Sequence, residues 1–440
     1  MKKTALIVLA TLILAACPVL NEDQIPWPIL KFDDKFYGED GLDEKTWFRI
    51  LTVVGDRNGF VRLDLSNAPF LNEDNEGGGL KKVSLQETDA AGDPTGTPYG
   101  PLGSGGFYIA FDPFPDIGWG KDKIVEIILP DAAQMINQAT DKRVGREDGK
   151  FNSADRENSA FNHFVNLQSV VGNHIVLIGN FAFAGRNRLE RVHFPRVGHN
   201  VTPAELSDSG NTLASGFRVD IGHFAFSGCT ALRSATFNSA AVIGRYAFQG
   251  CVNLASISFP YAWMIGQNAF EDCKKLTDVF FEKVTKIGNA AFKGCTSLRR
   301  AVFADDPARF TSSAPLVGPP PLPVYDSVIF YDNAFSGCTS LQILDVRSAW
   351  NVFFGPNVLE NTGSAISLYL FDDDGTRSYG HPQQSPFLGT GQRQSIRTVN
   401  IHVLSSGEKV DVEESNNIAS FIKDAYPTVN VNVVRTGVAP

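Results

Sequence analysis

The chain is poor in the residues that carry chemistry. Its seven histidines (His163, His174, His193, His199, His223, His381 and His402) contain no pair four residues apart, the spacing that sets two imidazoles on one helical face for a metal. No Gly-x-Ser-x-Gly elbow and no glycine-rich phosphate loop occurs. Nothing assembles a nucleophile, a base and a group to orient it, so no catalytic residue, metal, cofactor or small-molecule substrate is expected. Positive charge is also scarce. Lys and Arg total 39 against 48 Asp and Glu, a net charge of −9, and there is no Lys/Arg-rich stretch. A phosphate backbone would find no electrostatic footprint, which argues against nucleic acid. Asp372-Asp373-Asp374-Gly375 lacks the alternating ligands and distant Glu of a calcium loop, so a solvated turn is favoured there.

Long apolar runs are missing too, apart from Thr4 to Leu14. That run has the length of a secretory signal and is too short to span a bilayer. Lys2 and Lys3 precede it and Leu14-Ala15-Ala16-Cys17 closes it. The order of these parts resembles the bacterial lipobox, in which the cysteine becomes an acylated N-terminus. An ordinary signal peptide with a cysteine near its cleavage point is the alternative. Two or more acyl chains on Cys17 would suffice for stable anchoring, whereas one is marginal. Residues 18–45 follow, rich in Asp and Glu with Pro18, Pro26 and Pro28, and read as a solvated tether.

What the chain does have is a period. Ala-Phe recurs at Ala225-Phe226, Ala247-Phe248, Ala269-Phe270 and Ala291-Phe292, each 22 residues after the last. Around each pair, Ile-Gly comes three residues before the Ala, Cys three after the Phe, Leu six after it and an aromatic eleven after it. Weaker copies surround Ala160-Phe161, Ala182-Phe183, Ala334-Phe335 and Val358-Leu359, and Ile124 to Pro130 reads as the strand half of an earlier one. Two gaps, Phe183 to Phe226 and Phe292 to Phe335, hold extra residues near 200–220 and 305–328. The second is rich in proline (Pro315, Pro319, Pro320, Pro321, Pro323), which cannot feed a strand ladder. Either a degenerate repeat or a projecting loop would fit each gap.

Within one copy, Leu254, Ile257 and Phe259 alternate with Ser256 and Ser258, the pattern of a short half-buried strand. A single coil cannot bury that face alone, so copies must stack with parallel strands and a shared core. The run Ile-Gly-x-x-Ala-Phe-x-x-Cys-x-x-Leu resembles the BspA-like, Treponema-type leucine-rich repeats of bacterial surface proteins, over about residues 120–371. The resemblance implies an α/β-type solenoid, a right-handed leucine-rich repeat superhelix. It also implies export and, in some members, adhesion to host matrix proteins or other bacteria, with no catalytic residues to carry over.

Five cysteines, Cys229, Cys251, Cys273, Cys295 and Cys338, fall at the same place in the repeat. An odd number cannot pair completely, and one thiol per coil makes a line rather than a metal cluster. Buried free thiols pointing inward are favoured over disulfides between neighbouring coils. Positions eight and ten residues after each Phe should face outward from the stacked strands. They are Ser169 and Val171, Arg191 and His193, Ser234 and Thr236, Ser256 and Ser258, Asp278 and Phe280, Arg300 and Val302, Ile343 and Asp345, Ser367 and Tyr369. Arg191, His193, Asp278, Phe280, Arg300, Val302, Ile343 and Tyr369 are the candidate protein-binding face, since aromatic and Arg side chains anchor interfaces.

The expected organisation is a signal peptide (1–17), an acidic tether (18–45), a β-rich N-terminal cap (46–118), the repeat solenoid (119–379) and a C-terminal cap (380–440). Trp47–Val54 and Phe60–Leu65 around Asn58-Gly59 read as a hairpin. Residues 396–434 read as strand, helix, strand. The functional expectation is a protein lipid-anchored to the bacterial cell envelope, at the outer membrane, that binds a matrix, cell or envelope protein without catalysis. A structural or assembly lipoprotein on the periplasmic side is the alternative.

Overall fold

The computed structural model describes residues 27–83, 108–114, 118–136, 159–198, 219–237, 240, 242–259, 261–281, 283–303, 325–346, 349–371, 398–405 and 430–437. Cys17, the signal segment, Asp372–Gly375, most of both interruptions and the helix expected near 418–425 lie outside these residues.

The repeats stack as coils with a parallel sheet on each of two faces. On the first face, Ile29–Lys31, Val61–Asp64, Ile124–Ile128, Ser169–Val171, Arg191–His193 and Ser234–Thr236 pair in that order. A further parallel sheet continues with Ser256–Ser258, Asp278–Phe281, Arg300–Phe303, Ile343–Asp345, Ala365–Phe371, Thr398–Ser405 and Asn430–Gly437. The second face carries two-residue strands at Val242–Ile243, Met264–Ile265 and Lys286–Ile287, followed by the longer Tyr325–Phe330 and Ala349–Phe354. Bridges Ile178↔Ile221 and Ile221↔Ile243 carry this ladder across the first interruption.

Each recurring feature of the period has a physical duty. The Phe of each coil stacks on the next: Phe226 to Phe248, Phe248 to Phe270 and Phe270 to Phe292 have ring centroids 5.1, 5.2 and 5.2 Å apart with planes within 8° of parallel. The Phe N–H donates to the Ala carbonyl of the next coil, as Phe248 to Ala269 at 2.7 Å. The Ile-Gly glycines allow coils to close on one another. A Cβ on Gly266 would stand 2.7 Å from the carbonyl carbon of Gly244. Two residues after the Phe the backbone turns left-handed, at Gly228, Gly250, Gly294 and Gly337, and also at His163, Asp272 and Asn361.

The N-terminal region departs from expectation. Trp47–Val54 is no hairpin strand; it lies in helix α2 (Glu44–Gly55), which follows a short helix α1 (Asp34–Tyr37). Trp47, Ile50, Leu51 and Val54 form one buried helical stripe, so burial at a 3.6-residue period overrides the turn propensity of Asn58-Gly59. Nor is 27–45 a solvated tether. Asp33 and Asp43 accept hydrogen bonds from the N–H groups of Phe36 and Thr46, capping the two helices, while Leu30 and Tyr37 are buried. The antiparallel pair Gly79–Val83 and Tyr108–Asp112 completes this end.

At the other end, two of the expected strands are present, as Thr398–Ser405 and Asn430–Gly437, and continue the first-face sheet. Ser367 registers with Asn400, and Asn400 with Asn432. The second interruption is shorter than expected, because strand Tyr325–Phe330 already pairs with Ala349–Phe354.

Candidate functional site

The repeat thiols face the interior and are closed to solvent. All five repeat cysteines are free and fully buried. Each thiol donates to the carbonyl of the Phe in the preceding coil, from Cys229 to Phe183 at 3.1 Å through Cys338 to Phe292 at 3.1 Å. Burial pushes the Cys229 thiol up to about 12, against the opposing charge of Arg186, and raises Cys251, Cys273 and Cys295 as well. These thiols are therefore inert hydrogen-bond donors. In the coil of Phe183, one of those that lack Cys, Arg186 occupies the slot and its Nη1 donates to Phe161 O at 3.0 Å. The guanidinium thus takes over the thiol's bond, but its Nε is left buried without a hydrogen-bond partner. Among the described residues, no group of His, Cys, Asp and Glu is arranged to hold a metal ion.

The outward positions form two rows across the first face. One row runs Ile29, Arg62, Glu126, Ser169, Arg191 and Ser234, strand to strand in register. It resumes at Ser256, Asp278, Arg300, Ile343 and Ser367. The second row lies two residues on and includes His193, Phe280, Val302, Asp345 and Tyr369. The strands before residue 160 were absent from the sequence expectation of this face, although Arg62 and Asp64 alternate with buried Val61 and Leu63 in the same way.

Charges on the rows are largely paired across strands. Lys31 meets Asp64 at 3.0 Å, Arg62 meets Glu126, and Arg300 Nε meets Asp278 at 2.7 Å. Arg191 and His193 are exposed, while Asp278, Arg300, Ile343 and Tyr369 are half-buried. Phe280 and Val302 do not belong to an exposed patch. They are 9% and 3% exposed and form a small cluster of their own, apart from the main core. Alternation places them on the outward side, as expected, but it carries no information on whether that side is covered. The candidate face therefore divides into an open half around Arg191 and His193 and a half-covered one from Asp278 to Tyr369.

His223 sits among the turns at one edge of the coils. Its Nδ1 accepts the backbone N–H of Arg245 at 2.9 Å, and its own N–H donates to Asn180 Oδ1 at 2.8 Å. Burial, helped by the charge of Arg245, pushes its pKa down to about 4.

Residues 152–209 and 213–314 match the BspA type leucine rich repeat region, in six copies. No curated protein matches the chain. Among solved structures, it is similar to a leucine-rich repeat protein from Bacteroides ovatus, with 17% identity and a TM-score of 0.34, over 62% of this chain and 63% of that one. A leucine rich cell surface protein from Faecalibacterium prausnitzii is 15% identical with a TM-score of 0.26, over 69% and 83% of the two chains. The chain thus spans less than two thirds of the first structure's length.

Proposed function

We propose, from the premise that this chain carries a BspA-type leucine-rich repeat region, that it is a non-catalytic protein-binding or adhesion module of the bacterial cell envelope. The observation that carries this reading is the contrast between the two sides of each coil. Every repeat thiol and every stacked Phe is spent on coil-to-coil contact, whereas the outward rows present Arg191, His193, Ser234, Ser256 and Ser258 to solvent. A face built from a row of short parallel strands suits a macromolecule.

Anchoring is proposed through a lipid on Cys17, with the outer membrane as its site, supported by the Lys2-Lys3 start, the apolar run and Leu14-Ala15-Ala16-Cys17. Among the described residues no helix is long and apolar enough to cross a membrane. Metabolic labelling with an alkyne fatty acid, protease treatment of intact cells and binding to immobilised matrix proteins test the three parts. Expected are label lost on Cys17→Ala, cleavage at the cell surface, and saturable binding by the purified chain. A labelled chain untouched by protease and without a protein ligand would contradict the adhesion reading.

A further inference from the structure

The chain is acidic overall, yet one coil is the reverse. Between residues 186 and 196 stand Arg186, Arg188, Arg191, His193 and Arg196, with Glu190 as the sole acid. Interleaved Asn, Leu, Val, Phe and Pro keep this from reading as a basic run in the sequence. Folding concentrates it. Arg188 lies in the turn before strand Arg191–His193, Arg191 and His193 take the two outward positions, and Arg196 lies in the turn after it. Arg233 joins from the next coil, directly before Ser234, which registers with Arg191.

Arg188, Arg191, His193, Arg196 and Arg233 are all exposed. None is in an ion pair among the described residues, in contrast to Arg62 and Arg300 on the same face. Arg188 Nη1 donates only to the neutral amide of Asn166, at 2.5 Å. Glu190 is half-buried and pairs with none of them. The negative charge elsewhere does not cancel the stripe at working salt, because the screening length is about 8 Å at 0.15 M.

We propose that this stripe binds a linear sulfated polysaccharide. Guanidinium groups take sulfate oxygens in bidentate pairs. The flanking outward residues Ser234, Ser256 and Ser258 are exposed, and Thr236 is half-buried; their hydroxyls suit sugar hydroxyls. A protein surface would need desolvated apolar anchors, and the apolar neighbour in the outward rows, Val171 beside His193, is half-buried. This inference goes beyond the protein-binding reading, since it gives the open half of the face a ligand of different chemistry.

The test is fluorescence anisotropy of the full chain with a labelled heparin dodecasaccharide, beside poly-L-glutamate and a single-stranded DNA 12-mer. Binding to the sulfated oligosaccharide is expected, weakening on the order of 50-fold between 50 and 200 mM salt if about four guanidiniums release counterions. Charge reversal at Arg188→Glu with Arg191→Glu should lower affinity by about tenfold or more. Lys35→Glu with Lys45→Glu, exposed on the two N-terminal helices and off the outward rows, should leave it nearly unchanged. Should the reversal impair folding, Arg188→Gln with Arg191→Gln serves the same purpose. No binding at 50 mM salt, stripe variants that bind like the parent, or glutamate polymer or DNA held as tightly as heparin would each overturn the proposal.

Discussion

Gly244 and Gly250 lie in the same coil and should fail for different reasons when given a side chain. A Cβ on Gly244 would stand 2.7 Å from Ile221 O and 2.8 Å from both Gly222 C and His223 N. All three are backbone atoms of the previous coil, so nothing flexible can swing aside. Relief requires opening the coil-to-coil spacing against a stack of rings 5.1 Å apart. Overpacking of this kind costs about 1–3 kcal/mol, and a backbone obstacle places Gly244→Ala at the upper end. Gly250 has open space, its nearest neighbours being Gly228 atoms at 3.9 Å, but its φ is +72°. Gly250→Ala should therefore cost only the left-handed penalty of about 1–2 kcal/mol. Gly250→Asn should cost less still, as Asp272 and Asn361 already hold the equivalent conformation. Urea unfolding followed by circular dichroism measures all three. The reasoning is refuted if Gly244→Ala is the milder of the two alanine variants, or if it changes stability by less than about 0.5 kcal/mol.

Other consequences are as direct. In a Cys17→Ser chain, Ellman's reagent should find no reactive thiol in the native state and five after denaturation; rapid native reaction would show that the thiol line is not sealed. Arg186→Cys should stabilise the fold by roughly 1–2 kcal/mol, because it restores the thiol donor and removes a buried, unpartnered Nε; a loss of stability would contradict that reading of the slot. For His223, the folded pKa of about 4 lies below the ordinary 6.5. The unfolded chain takes up the proton first, so stability should fall as pH drops from about 6.5 to 4, by about 2–3 kcal/mol in all. His223→Asn should keep the acceptor, as Asn180 does one coil earlier, and flatten that slope in acid melts.

The period made most of this molecule readable. Ala-Phe at a spacing of 22 residues places the ring stack, and an odd number of cysteines at one repeat position leads to inward free thiols. What escaped was local competition. The stripe Trp47, Ile50, Leu51 and Val54 has helical spacing, yet its β-branched and aromatic residues beside Asn58-Gly59 suggested a strand and turn. Asp33 and Asp43 looked like part of a solvated acidic run because capping is a matter of one backbone angle, which composition cannot register. For the outward face, alternation assigns Phe280 and Val302 to the correct side, but their burial depends on what lies over that side. The arginines around Arg191 were equally hidden, since only the coil brings Arg233 beside them.

The claim that binding resides on the outward rows, with the stacked spine inert, is tested most directly by site-specific photo-crosslinking on intact cells. A benzoyl-phenylalanine at position 193 or 256, both outward and exposed, should yield covalent adducts with a protein partner, or with a sulfated glycan at position 193. The same group at Lys293, exposed in the turn beside the Phe stack, should yield none. Adducts from position 293 with silence at 193 and 256 would contradict the account.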